Sequence, residues 1–226
     1  MRKIQRLAYI GAIAASALTL AACGGTAAPA SSPAASAPAA APATAAPAAT
    51  NTGVTTNADV FGPACGQLPQ GDAPGSLNNM GPQPVATAAS TNPLLTTLVT
   101  AVKAVPGLPD TLNNTQGITV FAPYNGAFDA VQKQIGAPAF QGLLKDTNKL
   151  GGLLSYHVVG QRYDAKGLVA AGQTTELAGG TLTIGGTADA PTITDGQGNT
   201  AKVLCGNIPT SNATVFVIDR VLMPKS

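Results

Sequence analysis

The chain has 226 residues, with 12 Lys and Arg against 10 Asp and Glu, one His, three Cys and no Trp, and only 10% of it is charged. Setting aside Arg2, Lys3 and Arg6, which sit in an N-terminal targeting segment, nine basic residues face ten acidic ones; no nucleic-acid partner is expected, because neutralising phosphates needs a clustered basic surface. The 45% hydrophobic content is inflated by Ala in a low-complexity stretch, so the globular part is much shorter than the chain.

The basic head precedes an apolar run, Leu7 to Leu20, that is too short and too Ala-rich for a membrane-spanning helix and reads as a secretory signal. It ends in Leu20-Ala21-Ala22-Cys23-Gly24, which resembles the lipobox of bacterial lipoproteins. That resemblance implies a signal peptide over residues 1–22, acylation of Cys23, and a mature chain of 204 residues. Its partner would be the membrane itself: each buried methylene contributes about 0.8 kcal/mol, and two or more chains hold far better than one. The expected location is the extracytoplasmic face of the cell membrane, with some secreted material.

Residues 23–58 form the expected tether. From Thr26 to Thr50 every residue is Ala, Pro, Ser or Thr, with five Pro and no charge. Such a stretch has no large apolar side chain to bury, and Pro blocks helix propagation. Extended at about 3.1 Å per residue it reaches up to ~80 Å, and its Ser/Thr-with-Pro composition permits O-glycosylation.

With Cys23 carrying lipid, Cys65 and Cys205 remain as an even pair in an oxidising compartment and read as a disulfide. The bridge would pin the N-terminal extension, residues 59–83, to the C-terminal part of the domain. Two distant Cys and one His make a poor four-ligand metal set.

From Pro84 onward helical and strand patterns alternate. Asn92 before Pro93 supplies an N-cap, after which Leu94, Leu95, Leu98, Val102 and Val105 recur at helical spacing until Pro106. Ile118 to Ala122 is a compact β-rich run halted by Pro123. Asn125 can then cap a short helix bearing Phe128 and Val131, with more helix expected around Ala139 to Leu144 and Lys149 to Leu154. Beyond Tyr156, glycines punctuate short runs such as Thr181 to Ile184 and Thr200 to Leu204, a strand-and-turn texture. Val215 to Ile218 is the last strand, and Val221-Leu222-Met223 is expected to extend it or begin a neighbour. Six of the nine aromatics lie between Phe121 and Tyr163, with Phe121 and Phe128 as packing anchors.

Three ordered motifs carry a family resemblance. Thr119-Val120-Phe121-Ala122-Pro123-Tyr124-Asn125-Gly126-Ala127-Phe128 resembles the first signature of the fasciclin (FAS1) domain, Leu153 to Val159 its Tyr-His motif, and Ala213 to Asp219 with Val221-Leu222 its second signature. Lipobox, tether and paired Cys resemble those of the mycobacterial fasciclin-domain surface lipoproteins. The resemblance implies an α+β fold over residues 84–224, a helical bundle beside a β-wedge, in a monomer with no cofactor. It also implies a non-catalytic adhesion or host/envelope role as an exposed antigen, with a host cell-surface or matrix protein as partner. Tyr124 departs from the family's small Thr or Ser, and Gly126 puts a flexible residue at the helix start.

Tyr156 and His157 are weak binding candidates and strong structural ones, because Val158 and Val159 favour a buried strand end. Some animal fasciclin domains are thought to engage integrins through an Asp-Ile dipeptide; here Asn207-Ile208 stands in that place, and the amide cannot coordinate an integrin-bound metal ion as a carboxylate would. Asn207 and Ile208 complete the candidate interaction residues. No Gly-x-Ser-x-Gly elbow, phosphate loop or dinucleotide fingerprint is present, since Gly196-x-Gly198 lacks its third glycine. The alternative to adhesion is an extracytoplasmic carrier holding a small apolar ligand, a lipid or peptide, in a groove of the domain.

Overall fold

A computed structural model describes residues 53–225. The signal peptide, the candidate lipidation residue Cys23 and the Ala/Pro tether up to residue 52 lie outside the described residues. The helices are α1 (Leu77–Met80), α2 (Val85–Thr91), α3 (Thr96–Ala104), α4 (Leu108–Asn114), α5 (Asn125–Ile135), α6 (Ala137–Lys145), α7 (Thr147–Ser155) and α8 (Ala165–Ala171). The strands are β1 (Ile118–Pro123), β2 (Val158–Val159), β3 (Gln173–Thr175), β4 (Thr181–Thr187), β5 (Ala190–Thr194), β6 (Thr200–Pro209) and β7 (Ala213–Ile218).

The seven strands form one sheet in the order β2-β1-β7-β6-β5-β4-β3, with only β1 and β7 parallel. Its two edges meet. Val159 bridges Glu176, and the Leu177 amide donates to the Val158 carbonyl at 2.8 Å, so the sheet curls into a nearly closed wedge. Closure leaves little free edge, the feature that otherwise invites strand-to-strand aggregation.

This curl explains why β1 and β7 read as unbroken apolar runs. All six residues of each are buried, because both faces of the central pair are covered. Ile118, Val120, Ala122, Val215 and Val217 face the helical layer, in one core with Leu98 of α3, Phe128 of α5 and Leu150 of α7. Phe121, Phe216 and Ile218 face the wedge interior with Leu168, Leu182 and Ile193, and the two Phe rings pack 6.0 Å apart. Two cores separated by one sheet make the α+β class a consequence of side-chain alternation along two strands. The apolar interior ends in polar groups. The Thr119 hydroxyl donates to the Gln161 carbonyl (2.7 Å) and accepts from the Tyr163 amide (2.8 Å), and the paired Thr214 hydroxyl donates to the Gly53 carbonyl (2.6 Å).

Several expectations shift by identifiable causes. Asn92 caps a short 3-10 turn, Pro93–Leu95, accepting from the Leu94 amide at 2.9 Å, and α3 follows it. Asn125 is the first residue of α5 rather than its cap. Its amide instead ties α5 to α3, accepting from the Thr97 amide and Thr96 hydroxyl and donating to the Pro93 carbonyl, each at 3.0 Å. Val221 and Leu222 are buried and Met223 partly so, but the segment is not a strand, because its amides go elsewhere: Leu222 donates to His157 Nε2 and Met223 to Asp195. Residues 53–58, expected within the tether, lie against the domain, with Thr55 buried and Thr56 closing a capping box with Asp59.

Candidate functional site

The disulfide is the first sequence-derived pair the fold brings together. Cys65 and Cys205 are bonded, with Cα atoms 5.0 Å apart across a separation of 140 residues. Backbone pairing positions them: the Phe61 and Gly206 amides donate to each other's carbonyls, and the Ala64 amide donates to the Leu204 carbonyl at 2.9 Å. Gly206 permits this approach, since a Cβ there would collide with the Phe61 ring.

Tyr156 and His157 follow the end of α7. His157 is 3% exposed and spends both ring nitrogens on backbone: Nδ1 lies 2.8 Å from the Leu153 carbonyl, and Nε2 accepts from the Leu222 amide at 2.9 Å. The second contact requires an unprotonated Nε2, so the proton sits on Nδ1. Burial pushes the imidazole down to about 4, against the opposing pull of the Leu153 carbonyl and the Asp195 charge. His157 therefore sews the C-terminal segment to α7 and stays neutral near pH 7, with both ring nitrogens engaged by the backbone. Tyr156 packs edge-on against it with ring centroids 6.5 Å apart, and its hydroxyl accepts from the Gly196 amide at 2.7 Å. Burial raises the Tyr156 phenol above its ordinary value.

Asn207 and Ile208 sit at a bulge, where the β6–β7 register shifts between Cys205 and Ile208. Asn207 adopts φ 57°, the left-handed conformation that Asn tolerates better than most residues. Its side chain accepts from the Ala165 amide at the start of α8 (2.8 Å) and donates to the Asp59 carbonyl (3.1 Å). Ile208 is 1% exposed in the helix-facing core. All four candidate interaction residues are thus buried frame elements, and a partner approaching this surface would meet other side chains.

Sequence reasoning passed over three polar organisers, of which Asn212 and Asp195 reach partners far along the chain and Glu176 closes a local turn. Asn212 accepts from the Val85 amide at the start of α2 (2.9 Å) and donates to the Leu112 and Thr115 carbonyls (2.7 and 2.6 Å) at the end of α4. Asp195 receives the Gln197, Asn199 and Met223 amides. Glu176 receives the Ala178 and Gly180 amides in the turn that closes the sheet.

A partly open apolar space lies on the helical side. It holds about 60 Å³ and is walled by α2, α3, α4 and β1, with Val99, Val102, Leu112 and Val120 among its lining and Lys103 at its edge.

Against known proteins, a family model described as the fasciclin domain matches residues 93–224. The chain belongs to the fasciclin family. This fasciclin chain is 41% identical over 175 residues to cell surface glycolipoprotein MPB83 of Mycobacterium bovis, covering 74% of the chain and 73% of the relative. The same identity and coverage hold for cell surface glycolipoprotein MPT83 of Mycobacterium tuberculosis. Immunogenic protein MPB70 of Mycobacterium bovis is 38% identical over 177 residues, at 74% and 83% coverage. Among solved structures, a FAS1 domain pair from the insect cell adhesion molecule fasciclin I superposes with TM-score 0.54 at 18% identity, over 62% of this chain and 51% of that one. At that identity the likeness concerns fold alone, and this fasciclin chain spans about half of the pair.

Proposed function

We propose that this fasciclin protein is a lipid-anchored, extracytoplasmic surface protein that mediates adhesion or host/envelope contact without catalysis, and that it behaves as an exposed antigen. The observation that carries the reading is the agreement between the Cys23 lipobox and relatives at 41% and 38% identity whose names describe a cell surface glycolipoprotein and an immunogenic protein. Further support comes from the sole His, which is locked between two backbone groups and is poorly placed for acid–base work. The test is expression in a bacterium of the full chain and of Cys23→Ser, with fatty-acid labelling and surface biotinylation. Label on the wild type alone, with the variant released from the membrane fraction, supports the reading; an unlabelled wild type refutes the anchor.

The apolar space between α2, α3, α4 and β1 favours a second reading, carriage of a small apolar ligand. At about 60 Å³ it accepts a group the size of one aliphatic side chain, whereas drug-sized ligands occupy roughly 300 Å³ or more. Carrying a whole lipid would require α2 and α3 to part. Native mass spectrometry of protein taken from its own membrane distinguishes the readings by the presence or absence of a bound mass.

A further inference from the structure

A second cavity lies away from the Tyr-His motif, where the chain that leaves the tether meets the β6–β7 turn. It is an open cleft of about 630 Å³ whose polar lining includes Thr55, Thr56, Asn57, Arg162, Thr210 and Ser211. Arg162 is the centre of its chemistry. Nε donates to the Thr214 hydroxyl at 3.0 Å, and Nη2 donates to the Thr210 and Ala213 carbonyls at 3.0 and 2.8 Å, so the guanidinium is fixed in one orientation. Its other amino group, Nη1, has no protein acceptor among the described residues and is not sealed from solvent.

Among the described residues no carboxylate pairs with this cation. Among the described residues the one ion pair is Lys149–Asp146, on a different part of the molecule. The nearby Asp59 carboxylate is occupied by the Thr56 amide and hydroxyl at 2.8 and 2.7 Å. Burial without a counter-charge pushes the Arg162 guanidinium below its ordinary value. A partly buried cation, held rigid and left with free N–H donors, is a preorganised receptor for an oxyanion, because the ordering cost of its long side chain is met in the fold. The Thr55 hydroxyl adds a second unmet group: it is buried in the same wall with no hydrogen-bond partner. Around these lie an amide and hydroxyls together with Val54, Ala58 and Pro209, a mixed open surface on which both the hydroxyls and the apolar ring faces of a saccharide can seat.

We propose that this cleft binds a carboxylate-bearing saccharide, with the carboxylate on Arg162 and sugar hydroxyls against Thr55, Thr56, Asn57 and Ser211. The inference rests on the contact role proposed above and supplies it with a site and a ligand class. The cleft adjoins residues 53–58, so a bound polymer would lie beside the root of the tether.

The test titrates the full chain with a uronic-acid tetrasaccharide, its carboxyl-reduced neutral counterpart and inorganic phosphate, following backbone amide NMR shifts. Saturable uronate shifts at Thr55, Thr56 and Ser211 are expected, with roughly tenfold weaker binding of the neutral sugar. Arg162→Met tests the cation directly but also loosens the turn. Ser211→Asp is therefore the deciding variant: Ser211 is exposed, only its backbone amide is bonded, to the Gln83 carbonyl, and a carboxylate there should weaken uronate binding roughly tenfold without unfolding the domain. Unchanged affinity in Ser211→Asp, shifts outside the cleft, or phosphate binding as tight as uronate each overturns the proposal. Binding to cells or matrix proteins that survives Ser211→Asp would retain the contact role and discard this site, so the two can fail separately.

Discussion

The buried histidine makes the acid stability of this domain calculable. In the unfolded chain the imidazole takes a proton near pH 6.5, whereas in the fold burial delays protonation to about 4. Between those values the unfolded state holds more protons than the folded one, so stability falls as pH falls through 6.5 and continues to fall until about 4. At roughly 1.4 kcal/mol per pH unit the whole displacement amounts to about 3 kcal/mol, a large share of the 5–15 kcal/mol typical of a domain. Protonating Nε2 also removes the acceptor of the Leu222 amide, so the C-terminal segment should loosen first. The variant to compare is His157→Gln, which keeps an amide donor and acceptor but cannot titrate. Urea unfolding followed by circular dichroism, at half-unit steps from pH 7.5 to 4.5, should show the wild type losing about 2–3 kcal/mol more than the variant over that range. At pH 7.5 the variant should be the less stable by about 1–3 kcal/mol, because glutamine cannot reproduce both contacts at their present lengths. Parallel pH profiles for the two proteins would refute a buried neutral histidine, as would an NMR titration placing the His157 midpoint near 6.5.

Three further outcomes follow from the same contacts. Replacing both Cys65 and Cys205 by Ser opens a loop of 140 residues, for which the chain-entropy relation gives about 5 kcal/mol; the melting midpoint by calorimetry should drop by about 10–20 °C, and proteolysis should begin within residues 53–83. Asn212→Ala removes four side-chain hydrogen bonds, two of them fully buried, that join α2 and the end of α4 to the start of β7, and should cost about 3 kcal/mol in urea unfolding, with raised amide exchange at Val85 as the local sign. Asn207→Asp introduces a carboxylate in place of the amide, and loses the donor to the Asp59 carbonyl at a site 8% exposed; stability should fall by about 1–3 kcal/mol, with no gain in divalent-cation-dependent integrin binding by surface plasmon resonance.

The legible parts of the fold were those where one side-chain pattern decides the outcome. The α3 helix announced itself through Asn92-Pro93 and leucines at helical spacing, and β1 and β7 through apolar runs that a doubly covered strand pair requires. By contrast, α2 is built from Ala, Thr and Ser behind Val85, and α4 opens on Gly107 at φ 78° with Pro109 in its first turn and ends on two asparagines; neither displays the extended apolar period that marks α3. Val221-Leu222-Met223 read as a strand because its side chains are apolar, but its amides are claimed by the His157 and Asp195 side chains, which no local pattern encodes. The same limit governed the site. Tyr156, His157, Asn207 and Ile208 stood out through family motifs, and the fold spends all four on its interior. Arg162 sits in no motif. Its standing comes from acceptors 48 to 52 residues away and from the absence of a carboxylate partner among the described residues, both of which appear only in three dimensions.

The most direct test of a surface contact module presents the full mature chain, with its disulfide confirmed by mass spectrometry, to an array of matrix proteins, host cells and envelope polymers. The account predicts saturable binding to at least one of them that persists in folded His157→Gln and disappears when the Cys65/Cys205 double variant unfolds. Absence of saturable binding across the array, or its loss in a His157→Gln protein that remains folded, would contradict it.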